Sequence, residues 1–209
     1  MEKKEHIIFL HGLFMNAMSM KKMERHFKLL GYSTSVFEYN STGETLEENV
    51  KMLKKHVDSI YYSTIHFVGH SMGGLLIRFL FKSYPNQKPG KCITIGTPHK
   101  GAHLAKWINS TVLSPLVGKG YYKGLLKEVD EKWIHANPIG SIAGCSKIGF
   151  LWLIDSIQGD HDGTVFVHET FLSGQSDHVV IHKGHTEMIL SSLCFKNIEN
   201  FLKKGHFIH

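Results

Sequence analysis

A serine flanked by two glycines lies between an apolar run and a segment with helical periodicity. The motif Gly-His-Ser-Met-Gly occupies residues 69–73, with Ser71 at its centre, and follows the apolar run at 65–68. A sharp turn from strand to helix would hold this serine in a strained conformation above the sheet edge, over the positive end of a helix. A Cβ at Gly69 or Gly73 would crowd that turn. The pattern indicates a nucleophile. A glycine-rich phosphate-binding loop or a plain tight turn is the alternative, but no GKS/T or GxGxxG accompanies the motif.

A serine hydroxyl is a poor nucleophile unless a base takes its proton and an acid orients that base. Asp162 lies in the polar loop at 159–165, and His185 follows the apolar run at 179–181. Loops at strand ends are where catalytic side chains collect. The chain order is then nucleophile, acid and base, which is the order in one fold of serine hydrolases. We therefore predict that Ser71, Asp162 and His185 are catalytic residues.

Other acidic residues near Asp162 compete for the role of orienting acid. Asp162 precedes Gly163, so its loop can turn the carboxylate inward. Asp160 and Asp155 are interpreted instead as a turn residue and a surface or capping group. The sequence favours Asp162 among the three.

Several histidines compete with His185 for the role of base. His178 and His182 flank or lie within the last apolar run, whereas His185 lies beyond its end, after a glycine that frees the backbone to turn. His161 and His168 are interpreted as exposed polar residues. The sequence favours His185.

Attack on a carbonyl builds negative charge on oxygen, and backbone N–H groups aimed at that charge stabilise it. The amide of Met72, just after the nucleophile, is one predicted donor. The other is expected in the loop at 11–14, with Leu13 preferred and Phe14 as the alternative donor. An ordinary turn at a strand end is the other interpretation of this loop. We also predict Phe14 and His70, next to these donors, as substrate-binding residues.

Short apolar runs alternate with helical periodicity along the whole chain. This alternation predicts an α/β fold with a doubly wound, mostly parallel sheet flanked by helices. A capping box at Thr45 and Glu48 marks the start of the clearest helix. Strands are predicted at 7–10, 35–39, 65–68, 92–95, 139–144 and 179–181, and helical faces at 20–30, 46–60, 75–80 and 189–202.

Five short motifs together resemble the lipase and esterase branch of the α/β-hydrolase superfamily. They are HGLF, GHSMGGL, GTPHKGA, GDHDGTV and GHTEM. Their pattern is similar to that of small bacterial lipases and of the deacylase family acting on glycosylphosphatidylinositol inositol. The resemblance implies the α/β-hydrolase fold, the triad of Ser71, Asp162 and His185, and oxyanion donors at Leu13 and Met72.

The segment at 103–137 occupies the place of a cap or lid within a single domain at 1–209. Its aromatic and leucine residues are suited to line an acyl pocket. A loose helical excursion that packs on the sheet without touching substrate is the alternative interpretation.

Composition narrows the partners of the protein. The net charge is +6, but the lysines are scattered, so nucleic-acid binding has little support. The three cysteines lack CxxC spacing and the histidines lack HExxH spacing, so neither a disulfide framework nor a metal site is expected. No signal peptide or membrane span is evident, which predicts a cytoplasmic protein, and association with a membrane surface is not indicated.

The predicted activity is hydrolysis of carboxylic esters, small or lipidic, through an acyl-enzyme and without a metal or organic cofactor. The same residues serve a thioesterase, an amidase or an acyltransferase equally well. A catalytically silent binding protein that keeps the fold is the alternative from a different class.

Overall fold

A computed structural model describes residues 5–101, 132–147 and 159–209. Six strands in these ranges form one sheet in the order β2-β1-β3-β4-β5-β6, and every neighbouring pair is parallel. The predicted doubly wound α/β fold is confirmed. The strands are β1 (Glu5–Leu10), β2 (Ser33–Phe37), β3 (Thr64–His70), β4 (Cys92–Ile95), β5 (Ile139–Gly144) and β6 (Asp177–Ile181).

Local sequence explains where the helices begin and end. The Thr45 side chain accepts a hydrogen bond from the Glu48 amide, and the Glu48 side chain accepts one from the Thr45 amide, so the predicted capping box is present. Gly205 ends the last helix in a left-handed conformation. The α-helices within the described ranges are α1 (Lys21–Leu29), α2 (Leu46–Ser59), α3 (Met72–Ser83) and α4 (Ser192–Lys204).

Alternate residues of the central strands pack on opposite faces of the sheet. In β1, Ile7 and Phe9 join a cluster with buried residues of α1 and α4, whereas Ile8 and Leu10 join a second cluster with α2 and α3. Helices therefore cover both faces, which explains why nearly every residue of the four central strands is buried rather than every second one.

Strand β2 differs from its prediction by two residues at each end. The predicted range was 35–39, but the strand is Ser33–Phe37. It lies at the sheet edge and pairs with β1 alone, and its last partner in that strand is Leu10, opposite Phe37. Glu38 and Tyr39 leave the ladder and turn their side chains to the loop after β1. The ends of the other strands lie within two residues of prediction.

Most of the predicted cap at 103–137 lies outside the described residues, and only 132–137 can be placed. There Trp133 is buried against Phe81, with ring centroids 4.9 Å apart, and its indole N–H donates to the Asn137 carbonyl. None of the helices in the described ranges is long and apolar enough to cross a lipid bilayer.

Candidate active site

Ser71 occupies the turn between β3 and α3 in a conformation that L-amino acids seldom adopt. Its φ is 53° and its ψ is −118°. The turn is held by the Ser71 amide, which donates to the Ile95 carbonyl at 2.8 Å, and by the Thr97 hydroxyl, which donates to the Ser71 carbonyl at 2.9 Å. The strained strand-to-helix turn expected from the motif is therefore present, with the N-terminus of α3 directly after the serine.

Small residues on either side of Ser71 are required by close backbone contacts. A Cβ on Gly69 would lie 2.6 Å from the carbonyl carbon and oxygen of Gly73. A Cβ on Gly73 would lie 2.5 Å from the carbonyl oxygen of Leu10. Real Cβ atoms do not approach backbone this closely, so the expected need for glycine at both positions is confirmed.

Asp162 is fully buried and its carboxylate accepts three hydrogen bonds. One oxygen accepts from the amides of Thr164 at 3.0 Å and Val165 at 2.8 Å, and the other accepts from His185 Nδ1 at 2.7 Å. The loop thus turns this carboxylate inward, as the sequence predicts. Because Nδ1 of His185 carries the donated proton, Nε2 is the nitrogen left to accept one.

His70 links the nucleophile turn to the main chain of His185. Its Nε2 donates to the His185 carbonyl at 3.0 Å, and the two ring centroids lie 4.7 Å apart. Burial, reinforced by the nearby His185 ring, lowers the pKa of His70 well below its usual range, so the ring is neutral. Among the described residues no hydrogen bond joins the Ser71 hydroxyl to His185. Catalytic hydrogen bonds of this kind often tighten only when substrate is bound.

The two predicted oxyanion donors in the loop after β1, the amides of Leu13 and Phe14, differ in their hydrogen bonding. Phe14 adopts a positive φ of 59°, and its amide donates to the Ser41 hydroxyl at 3.2 Å. No acceptor for the Leu13 amide is found among the described residues. Met72 is the first residue of α3, where helix amides lack intrahelical partners. This geometry favours Leu13 over Phe14 as the partner of Met72.

Two residues that the sequence did not single out hold this loop. Ser41 accepts from Phe14 as described, and the Tyr39 hydroxyl donates to the His11 carbonyl at 2.6 Å while its ring stacks on the His11 ring at 4.2 Å. His11 Nδ1 donates to the Gly12 carbonyl at 2.9 Å. Burial lowers the pKa of His11, so its ring acts as a neutral packing group.

His161 was predicted to be exposed, and this prediction was wrong. The residue is buried because its Nδ1 accepts from the Gly163 amide at 3.0 Å and its ring packs against Phe166. It thereby shapes the loop that carries Asp162. His168 is exposed, as predicted.

Among the described residues, none of the remaining competitors is hydrogen-bonded to the side chain of Asp162 or His185. His178 lies in β6 and hydrogen-bonds the Thr170 hydroxyl at 2.8 Å, and His182 is exposed just beyond that strand. Asp160 is exposed. Asp155 lies outside the described residues. Within the described ranges, no cluster of three or more His, Cys, Asp or Glu side chains is arranged to hold a metal ion.

Solved structures of hydrolases share this architecture. The mature lipase BlEst2 of Bacillus licheniformis aligns with a TM-score of 0.73 and 21% identity over 94% of this chain and 91% of its own. Mouse alpha/beta hydrolase domain-containing protein 10 aligns with a TM-score of 0.65 and 17% identity over 98% and 92% of the two chains. The metagenomic alpha/beta hydrolase MGS-MChE2 from Mar Chica lagoon sediments aligns with a TM-score of 0.66 and 17% identity over 98% of this chain and 93% of its own. At these identities the likeness shows the α/β-hydrolase fold.

Sequence comparison places the chain more narrowly. No curated protein matches it. Residues 6–137 match the family model described as palmitoyl protein thioesterase, and this range includes the nucleophile turn and the loop after β1. The resemblance to lipases and esterases is thus confirmed at the level of the superfamily. The chain belongs to the palmitoyl protein thioesterase family, among the esterase, lipase and thioesterase hydrolases of the α/β-hydrolase superfamily.

Proposed function

We propose that this protein is a serine hydrolase that cleaves carboxylic esters, small or lipidic, through an acyl-enzyme on Ser71. In this proposal His185 is the general base and Asp162 orients it. The observation that carries the proposal is the 2.7 Å hydrogen bond from His185 Nδ1 to the buried Asp162 carboxylate. The hydrogen bond from His70 to the His185 carbonyl connects this pair to the residue directly before Ser71, whose backbone is strained. This arrangement is the template for activating a serine hydroxyl.

The reaction runs in two halves on the same residues. The Ser71 oxygen attacks the ester carbonyl while His185 Nε2 takes its proton, and the leaving alcohol departs with that proton. Water then attacks the acyl-enzyme while His185 takes its proton, and His185 returns that proton to the Ser71 oxygen as the bond from this oxygen to the acyl carbon breaks and the carboxylic acid leaves. Asp162 remains ionised and stabilises the imidazolium that forms in each half.

Two sources of positive potential are available for the oxyanion of each tetrahedral intermediate. The amides of Leu13 and Met72 are the proposed donors, and the N-terminus of α3 adds its dipole behind Met72. Both amides are main-chain groups, one in the loop after β1 and the other at the start of α3, so they need little reorganisation when charge develops on the substrate oxygen.

A thioester substrate is the second candidate, favoured by the family model that the chain matches. Thioesters pass through the same acyl-enzyme, and a thiol is a better leaving group than an alcohol. Turnover of an alkyl ester and of the thioester with the same acyl group would separate the two. A kcat/KM at least about tenfold higher for the thioester, a difference of about 1.4 kcal/mol in barrier, would favour the second candidate.

Ester hydrolysis tests the proposal, with p-nitrophenyl acetate as substrate. We expect wild-type turnover, and a loss of about three orders of magnitude or more in the Ser71→Ala variant. The matched control is Ser173→Ala at an exposed serine outside the site, which should keep wild-type activity. Equal turnover by wild type and Ser71→Ala would overturn the proposal.

A further inference from the structure

The motif GTPHKGA follows β4 and lies between the two halves of the candidate site. On one side, a Cβ on Gly96 would lie 3.0 Å from both His185 Nδ1 and Asp162 Oδ2. On the other side, the Thr97 hydroxyl donates to the Ser71 carbonyl at 2.9 Å. Two consecutive residues of the motif therefore adjoin the acid–base pair and the nucleophile turn, respectively.

Thr97 also explains the third glycine of the motif GHSMGGL, which is Gly74. A Cβ on Gly74 would overlap the hydroxyl oxygen of Thr97 and would lie 2.9 Å from its Cβ and Cγ2. Glycine at position 74 leaves the room that the threonine side chain occupies. The two motifs, which are far apart in the chain, therefore supply the two sides of one contact.

The loop that carries Thr97 is anchored to both β4 and α3. His99 is buried, and its Nε2 is hydrogen-bonded to the Thr94 hydroxyl of β4 at 3.0 Å. Burial, reinforced by the nearby charge of Arg78, lowers the pKa of His99 well below its usual range, so the ring is neutral. The Arg78 guanidinium of α3 donates to the His99 carbonyl at 2.9 Å. These contacts fix the loop without using the Thr97 hydroxyl, which is left to bind the Ser71 carbonyl.

Ser71 needs this support because its backbone is strained. A φ of 53° costs free energy in a residue with a Cβ, and it persists only where the surrounding contacts fix it. The Ser71 carbonyl accepts hydrogen bonds from the Gly74 amide at 3.1 Å and from the Thr97 hydroxyl. The first bond lies within the turn, whereas the second ties the turn to a separate loop. A small rotation of the Ser71 main chain would move its Oγ relative to His185, and small displacements of reacting groups slow catalysis strongly.

We infer that Thr97 is a positioning residue for the nucleophile. Its hydroxyl fixes the main chain of Ser71 and thereby the place of Oγ relative to His185. The inference rests on the proposed function and adds to it a residue that acts through Ser71 without touching the substrate.

The test compares variants that differ in the Thr97 hydroxyl. Thr97→Val and Thr97→Ala lack it, whereas Thr97→Ser keeps it and loses only the methyl group. The matched control is Thr170→Val, because Thr170 is as buried as Thr97 and its hydroxyl also donates to a main-chain carbonyl, that of Val167, at 2.7 Å. Thermal midpoints of all four variants define a temperature at which each is folded.

The readout is single-turnover release of p-nitrophenol from p-nitrophenyl acetate with enzyme in excess, which separates binding from acylation of the serine. We expect Thr97→Val and Thr97→Ala to lower the maximal acylation rate about tenfold, as for the loss of one hydrogen bond, with an unchanged half-saturating enzyme concentration. Thr97→Ser and Thr170→Val should retain the wild-type rate.

A wild-type acylation rate in both Thr97→Val and Thr97→Ala would overturn the inference. A rate in Thr97→Ser as low as theirs, or an equal loss in Thr170→Val, would also overturn it, because the effect would then not depend on this hydroxyl. In each of these cases Ser71-dependent turnover persists and the proposed function stands. Absence of Ser71-dependent acylation in the wild-type protein would instead contradict the proposed function, and the inference with it.

Discussion

His185 is hydrogen-bonded to Asp162 twice, once through its side chain and once through its main chain. His185 Nδ1 donates to the Asp162 carboxylate at 2.7 Å, and the His185 amide donates to the Asp162 carbonyl at 2.8 Å. The loops after β5 and β6 are thereby joined at one residue pair. This double contact fixes both the position of the imidazole and the nitrogen that carries its proton.

The first prediction follows from the carboxylate half of this contact. Asp162→Asn keeps the shape of the side chain but can present its N–H₂ to His185 Nδ1, which favours the wrong tautomer. We expect kcat to fall by about three to four orders of magnitude with p-nitrophenyl acetate. Asp160→Asn, at an exposed carboxylate two residues away, is the control and should keep wild-type kcat. Full activity in Asp162→Asn would show that another acid has this role.

The second prediction concerns the hydrogen bond from His70 to the His185 carbonyl. His70→Phe keeps a ring but removes the donor, so we expect kcat to fall about tenfold, as for the loss of one hydrogen bond, while KM stays near wild type. His70→Gln can donate from its amide and should recover most of the lost kcat. Steady-state kinetics of both variants check this.

The KM of the same variants tests the alternative role for His70. The sequence predicts a substrate-binding residue, whereas its burial and its bond to His185 favour a positioning residue. A raised KM with wild-type kcat in His70→Phe would support substrate contact and contradict the positioning role.

The third prediction uses two glycines with positive φ. Gly96 has a φ of 56°, and a Cβ there would lie 3.0 Å from both His185 Nδ1 and Asp162 Oδ2. Gly205 has a φ of 82°, and no described atom apart from its chain neighbours lies within 4 Å of its Cβ position. Alanine at either site should lower the free energy of unfolding by about 1–2 kcal/mol through backbone strain.

Only the Gly96 substitution should also affect catalysis. We expect Gly96→Ala to reduce kcat/KM clearly and Gly205→Ala to retain the wild-type value, measured at a temperature where both variants are folded. Comparable kcat/KM losses in the two variants would indicate that stability alone accounts for the effect.

The fourth prediction concerns stability at acid pH. Burial, together with the nearby charge of His56, lowers the pKa of His6 to about 4 from an unfolded value of 6.5. Below pH 6.5 the unfolded chain binds more protons at this residue, so stability is fully present above that pH and is lost as the pH falls towards 4. Thermal midpoints measured across this range should fall for wild type and fall less steeply for His6→Gln. Parallel curves would contradict the assignment.

The strands were predictable where they are buried on both faces. The strands β4 and β5 have the predicted bounds because each strand is buried along its whole length, so the ends of the buried run in the sequence are also the ends of the strand. The predicted bounds of β2 were shifted for two reasons. It is an edge strand whose first four residues are half-buried, and the aromatic residue Tyr39, which suggested a strand, packs outside the sheet instead. Its hydroxyl is bonded to His11.

The candidate site was predictable in its residue types and chain order but not in its supporting contacts. The bond from the Phe14 amide to Ser41 spans 27 residues, and that from His70 to the His185 carbonyl spans 115. Each has a main-chain group as one partner, and such groups carry no signal of residue type. His161 was misassigned for a related reason: a polar loop predicts exposure, and its packing depends on the fold around it.

Covalent labelling with a fluorophosphonate, followed by mass spectrometry of the digested protein, tests the central claim most directly. The reagent reacts only with a serine that a neighbouring base activates. We expect one adduct on Ser71 in the wild-type protein, none in Ser71→Ala, and much slower labelling in His185→Gln. Labelling of wild type at another residue, or equal labelling of Ser71 with and without the His185 imidazole, would contradict it.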